Sequence, residues 1–173
     1  MQELEDNLAV IELPKPSVYY LPVAYGGEFG PDLSFVSKHT GLTGEEVIKI
    51  HTGTDYLIYM LGFTPGFPYL GGMDSRLATP RLATPRTKIP AGSVGIAASQ
   101  TGIYPVQSPG GWQLIGQTPV KLFEPTAQKP VLLNAGDYIR FFEVTPEEYR
   151  LIAASAEKGE YTVRIGEYSG GEG

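Results

Sequence analysis

Residues that interrupt regular structure limit this chain more than any other feature: 22 of its 173 residues are glycine and 15 are proline. Glycine loses the most backbone freedom inside a helix, and proline has no amide hydrogen to give to one. A helical bundle is therefore excluded. So is a disordered tract, because apolar residues make up 42% of the chain and aromatics 11%, enough for a core. Short strands joined by turns remain.

The strand pattern can be followed along the chain. Residues 18–25 (VYYLPVAY) are β-branched and aromatic, with Pro22 pointing to a sheet edge. Pro31-Asp32 opens a short helix that Gly41 ends, and Thr43-Gly-Glu-Glu46 is a capping box for a second. Residues 54–61 (TDYLIYML) read as a buried strand. From Gly62 to Pro90, five prolines and four glycines speak against any regular element. An irregular loop of that length in a compact domain is usually functional or disordered, and its aromatics argue for order. Inside it the pentapeptide Leu-Ala-Thr-Pro-Arg occurs twice in succession, ending at Arg81 and at Arg86. Strands are expected at 93–98, 103–106, 112–116, 120–123 and 137–144. A capping box at Thr145-Pro-Glu-Glu148 then opens a helix to Lys158, and 160–167 is a last strand. About eight short strands with two or three short peripheral helices make a mainly β protein, a closed or nearly closed barrel. The domain is expected at 18–167, with 1–17 a linker or remnant and 168–173 a disordered tail.

Charge is unevenly spread. The net charge is −6, yet from Ser75 to Phe123 there is no acidic residue, while Arg76, Arg81, Arg86, Lys88 and Lys121 are basic. An acid-free basic segment in an acidic protein suits a local anion site, or else a solvated loop with spare arginines. Five cations with no interleaved basic and aromatic stripe make a poor phosphate-backbone face, so no nucleic-acid partner is expected. No apolar run is long enough to span a membrane and the first residues (MQELED) are acidic, so a cytoplasmic protein without a membrane partner is expected. With no cysteine and two distant histidines, neither a disulfide, a thiol nucleophile nor a metal site is expected.

Candidate site residues follow from chemistry. His51, at the end of the second helix, is the candidate catalytic proton carrier, with an anion ligand or a helix cap as its other readings. His39 reads as a structural residue at a helix C-terminus. Arg81, Arg86 and Lys88 are candidate anion ligands, and the run from Gln100 through Thr101 to Tyr104 offers an amide, a hydroxyl and a phenol for recognising carboxylates or amides. Phe63 and Phe67, in the run GFTPGFPYLGG, and Trp112, after Ser-Pro-Gly-Gly, are candidate walls of a pocket or groove. These segments flank short strands of one barrel and are expected to converge.

The run "YMLGFTPGFPYLGGMDSRLATPRLATPRTKIPAGSVGIAASQTGIYPVQSPGGWQLIGQTP" resembles the signature block of the KipI family, also called the 5-oxoprolinase B subunit or allophanate hydrolase subunit 1. The match continues through "YGGEFGPDLSFVSKHTGLTGEEVIKIHTGTDYLIYM" and "LNAGDYIRFFEVTPEEYRLI". The resemblance implies a cyclophilin-like β-barrel, preceded in the family by a smaller α/β domain of which residues 1–17 would be the end. It implies a subunit of an ATP-dependent 5-oxoprolinase, inactive without a homologous C subunit and an A subunit. ATP would be used by the assembled complex and no cofactor held tightly by this chain. Some relatives inhibit a sensor histidine kinase, which implies the alternative of a binding module whose aromatic groove holds a proline-containing partner segment.

Overall fold

The computed structural model describes residues 15–62 and 67–169. Along the chain these form β1 (Ser17–Tyr25), α1 (Leu33–Thr40), α2 (Gly44–Thr52), β2 (Asp55–Gly62), β3 (Phe67–Gly71), a 3-10 turn (Ser75–Leu77), β4 (Arg86–Ile89), β5 (Ser93–Ala97), β6 (Gln100–Ile103), β7 (Ser108–Gly110), β8 (Gln113–Gln117), β9 (Tyr138–Glu143), α3 (Pro146–Glu157) and β10 (Arg164–Glu167). Strands β1-β8-β5-β6-β3-β2-β9 are hydrogen-bonded in that order, and β9 returns to β1 to close the ring. Six of the seven pairings are antiparallel and the closing one, β1 with β9, is parallel. That exception is geometrically forced, since a ring of seven strands cannot alternate direction all the way round. The expected mainly β barrel is therefore present, closed on seven strands, with β10 added to the first half of β1 and three helices outside. No helix among the described residues is long and apolar enough to cross a membrane.

β1 is not an edge strand. It pairs with β9 along one side; on the other, Ser17 to Tyr20 pair with β10, and Ala24 and Tyr25 with β8. Pro22 lies in the interval between those two partners, where its missing N–H removes no ladder bond. Alternate side chains of β1, Tyr19, Leu21 and Val23, enter the barrel core with Tyr56, Ile58, Ile96, Ile103, Ile115, Ile139 and Phe141. β2 is only half buried: Tyr56 and Ile58 face inward, while Tyr59 and Met60, beside a bulge, are exposed.

The Gly/Pro-rich stretch does hold regular structure. β3, the 3-10 turn and β4 all lie between Gly62 and Pro90. Pro68 is accommodated in β3 because only Tyr69 and Leu70 pair with β6, leaving Pro68 bonded on the β2 side alone. Strand boundaries elsewhere shift by the same logic: β6 begins at Gln100, earlier than expected, because Ala97 and Gln100 close a two-residue hairpin. Residues 120–123 contribute only an isolated bridge from Phe123 to Val131, and β7 pairs with β4 as a separate ribbon. Both capping boxes form as read, Thr43 with Glu46 and Thr145 with Glu148. Of the expected linker, residues 1–14 lie outside the described residues, and Ser17 already pairs with Glu167 in β1. Tyr168, expected in a disordered tail, stacks on Tyr138 and donates its N–H to the Pro16 carbonyl.

Candidate functional site

Outside the barrel lies a second, smaller core made of Phe67, Ile89, Ala97, Tyr104, Trp112 and Leu114, with Tyr69 against it. It draws together the segments expected to converge: β3 carries Phe67, β6 runs into Tyr104, and the ribbon of β4 and β7 covers both. Their meeting place is filled. Phe67, Tyr104 and Trp112 meet edge to face, with centroids 5.4 to 6.3 Å apart, and Trp112 is the most exposed of the three at 6%. Such T-shaped contacts are the preferred geometry of aromatic pairs and stiffen the cluster. These rings act as a buried nucleus under the ribbon rather than as walls of an open groove. Phe63 lies outside the described residues.

The five basic residues of the acid-free segment separate into two groups. Arg76 pairs with Asp74 and Lys121 with Glu157, both at the surface. Arg86 makes a two-pronged bridge across the fold, Nη1 to Asp32 Oδ2 at 2.7 Å and Nη2 to Oδ1 at 2.8 Å. Asp32 also accepts the Leu114 amide at 2.7 Å and gives its own N–H to the Leu114 carbonyl. It is thus the pin joining α1, β4 and β8, and it holds the paired Nη1 and Nη2 prongs of Arg86. Arg81 and Lys88, both exposed, have no carboxylate within 4.0 Å among the described residues.

His51 lies inside the barrel at 0% exposure. Its Nδ1 is 2.6 Å from the Tyr25 hydroxyl and its Nε2 2.9 Å from Thr101 Oγ1. Thr101 has one hydroxyl proton and spends it on the Gly95 carbonyl, so Oγ1 must accept. Nε2 therefore carries the ring proton, and Nδ1 accepts from Tyr25. Phe141 stacks on the ring at 4.8 Å. Burial holds the imidazole neutral, with its pKa lowered to about 3, and pushes the Tyr25 phenol well up. In this arrangement both nitrogens are engaged and neither meets solvent, so the ring ties α2 to β1 and β6. It cannot reach a substrate in this geometry. The sequence signalled His51, and Thr101 only as a ligand-recognising hydroxyl beside Gln100 and Tyr104, but not Tyr25; the inward alternation of strand residues is the cue that could have joined them.

Gln100 gives its side-chain N–H to the exposed Tyr59 hydroxyl at 2.9 Å, on the outer face beside Tyr69. His39, in the last turn of α1, stacks on Phe35 at the surface. Gln113 donates to the Pro80 carbonyl at 2.9 Å while its buried Oε1 has no partner. A cleft of about 660 Å³ opens elsewhere, beside α3, lined by Pro105, Thr118, Phe123, Tyr149 and Glu157 among others. Among the described residues no three His, Asp or Glu side chains gather as a metal site.

Residues 1–133 match the family model described as "Carboxyltransferase domain, subdomain C and D". The chain is 53% identical over 148 residues to the 5-oxoprolinase B subunit of Bacillus subtilis, covering 86% of this chain and 58% of that one. To the 5-oxoprolinase B subunit of Escherichia coli O157:H7 it is 51% identical over 128 residues, 74% of this chain and 59% of that one. A crystal structure of a conserved uncharacterized protein from Pyrococcus horikoshii superposes with a TM-score of 0.74 at 49% identity, over 86% of this chain and 65% of that one. The chain thus spans somewhat over half the length of the curated relatives it matches. With the signature run carried on β2, β3, the loops and the second core, and with a family model covering most of its length, this chain belongs to the carboxyltransferase-domain family of subdomains C and D, among its 5-oxoprolinase and KipI-like members.

Proposed function

We propose that this chain is the barrel domain of one component of an ATP-dependent complex that opens a cyclic amide, 5-oxoproline, to glutamate. One observation carries the reading: more than half of the aligned residues are shared with relatives named as the B subunit of 5-oxoprolinase, across nearly the whole barrel. A lactam carbonyl is a poor electrophile. Phosphoryl transfer from ATP to its oxygen, with ADP released, activates the carbon; water adds there, the ring C–N bond breaks as a proton passes to the nitrogen, which becomes the amine, and a second water hydrolyses the resulting acyl phosphate to the side-chain carboxylate of glutamate and inorganic phosphate. Positioned cations and hydrogen-bond donors are what such a step requires. With His51 enclosed in the barrel, this reading assigns no proton transfer to the chain itself. It contributes substrate recognition and architecture within an assembly that includes A and C subunits, and the ATP is consumed by that assembly.

The test is reconstitution. The purified chain alone should form no glutamate from 5-oxoproline with ATP and magnesium. The full-length protein carrying this barrel, combined with its A and C subunits, should form glutamate with stoichiometric ADP. Turnover by the chain alone, or none by the complete assembly, would refute the reading.

A further inference from the structure

We propose that the outer face of β9, β1 and β10 carries a site for a nucleoside phosphate, with Arg164 and Arg140 holding the phosphoryl group and Phe142 lying against the base. None of these residues belongs to the second core or to the acid-free segment between Ser75 and Phe123.

One rung of the sheet sets the geometry. Tyr20 on β1 has Arg140 of β9 as its register partner on one side and Arg164 of β10 on the other, so the three side chains rise from the same face. That face lies away from the barrel core, which takes the alternate residues Tyr19 and Leu21. Gly166, two residues along β10, leaves room for the phenol ring: a β-carbon there would come within 3.3 Å of Tyr20 Cε2. The ring in turn carries Arg164, whose Cζ is 4.5 Å from its centroid. Cation–π attraction acts through the ring face and fixes the guanidinium without consuming its N–H donors. Arg164 has no carboxylate partner among the described residues, and Arg140 spends one nitrogen on Asp55, at 3.2 Å. A cation already held in place loses little freedom when an anion arrives.

The same residues share a cavity. A hollow of about 500 Å³ is lined by Tyr20, Arg140, Arg164, Phe142, Glu143 and Thr52 among others, a volume ordinary for a small-molecule site. Its chemistry selects the ligand. Two guanidinium groups call for a negative group, and a phosphoryl group matches their forked donors. Phe142, on the next rung with Pro22, is 38% exposed, an apolar surface that a flat ring would cover. Thr52 gives its hydroxyl proton to the Ile48 carbonyl at 2.8 Å, so toward a ligand its oxygen can only accept. Glu143 is a second acceptor, with no ion pair among the described residues. The fitting ligand therefore joins an anion, a planar ring and hydrogen-bond donors in one molecule. A nucleoside phosphate has all three, in its phosphoryl group, its base and its sugar hydroxyls. Inorganic phosphate lacks the ring, and a fatty acid offers neither ring nor donors.

The ligand class follows from the cavity, and the 5-oxoprolinase reading enters only in the choice of adenine as the probe's base. The chain is titrated with ADP, with adenosine and with inorganic phosphate at matched ionic strength. Binding is read by calorimetry and by the amide NMR shifts of Tyr20, Phe142 and Arg164. We expect ADP to saturate with its shifts centred on these strands, and adenosine and phosphate each to bind about tenfold more weakly or worse. Arg164→Ala should weaken ADP about tenfold and leave adenosine unchanged, and Phe142→Ala should weaken both several-fold. Gly166→Ala alters no ligand group but pushes on the ring that holds Arg164, so it should weaken ADP several-fold. Arg164→Ala should melt within a few degrees of the parent, and Arg164→Gln repeats the measurement with most of the side-chain stem kept. Absence of saturation by ADP, shifts centred elsewhere, phosphate binding as tightly as ADP, or Arg164 variants that titrate like the parent overturns the proposal. A reconstituted assembly that forms no glutamate while the ADP titration holds would sink the 5-oxoprolinase reading alone. An active assembly with a failed titration would sink the nucleotide site alone.

Discussion

Arg86 and Asp32 are 54 positions apart, yet their bridge decides how α1 sits on the barrel. The Asp32 side chain is only 11% exposed and that of Arg86 29%, so the carboxylate depends on the fork for compensation. Arg86→Ala leaves that carboxylate buried against Leu114 with one partner gone. A loss of roughly 3–5 kcal/mol is expected in urea denaturation. Arg86→Lys, with charge but no fork, should fall between. The same experiment on Arg81→Ala should show almost no change, which separates the two copies of the repeated pentapeptide. His51 makes a second prediction at this scale. Its imidazole is held neutral with a pKa of about 3, against 6.5 when free, so the unfolded chain binds a proton that the folded chain refuses. The stability contribution is complete above pH 6.5 and is lost as pH falls, by about 1.4 kcal/mol per unit toward pH 3. Denaturation midpoints between pH 7.5 and 4 should show this slope, and it should flatten in His51→Gln.

Turns and caps control the elements. Ala98, at the tip of the β5–β6 hairpin, has φ of +53°, the only non-glycine residue in that region among those described. The left-handed conformation costs an alanine roughly 1 kcal/mol that glycine does not bear. Ala98→Gly should therefore raise the melting temperature slightly, or leave it unchanged where the looser unfolded chain offsets the gain; a clear drop would show that the methyl group packs usefully against Thr79. Helix α3 behaves differently from α1 and α2, because none of its side chains is fully buried and Leu151 is 73% exposed. Thr145→Ala removes the cap that starts it, at about 1 kcal/mol. Amide exchange should quicken across α3 and leave the barrel strands protected. Uniform loss of protection would mean that α3 is cooperative with the core.

For the whole molecule, closure of the ring matters more than the number of strands. β10 adds to β1 without entering the seven-strand ring, whereas β9 closes it by pairing with β1 from about 120 positions away. A chain ending at Val163 should still unfold in one cooperative transition, at a lower melting temperature, because the flank of β1 from Ser17 to Tyr20 loses its pairing and Tyr138 its stacked Tyr168 while the ring stays closed. A chain ending before Tyr138 opens the ring and should lack a cooperative melt by circular dichroism. If the first truncation also melts without cooperativity, β10 belongs to the essential structure.

Caps, turns and motifs were legible in the sequence. The two capping boxes, Gly41 at the end of α1, the β-branched and aromatic composition of β1 and the signature run around β3 and the ribbon need only neighbouring residues to be recognised, so the barrel class and the family could be read from them. Pairing between distant segments could not. Nothing in the two Leu-Ala-Thr-Pro-Arg copies distinguishes Arg81 from Arg86; Asp32, brought to β4 and β8 by α1, claims one and leaves the other free. Nothing near His51 announces that Tyr25 and Thr101 will enclose it, because those hydroxyls arrive on strands that meet only when the barrel closes. Pro22 and Pro68 look like obstacles to a strand until the intervals between their partners are known. Which groups remain free for a ligand is settled by these long-range pairings, since each one consumes a charge or a hydrogen-bonding group that the sequence leaves open.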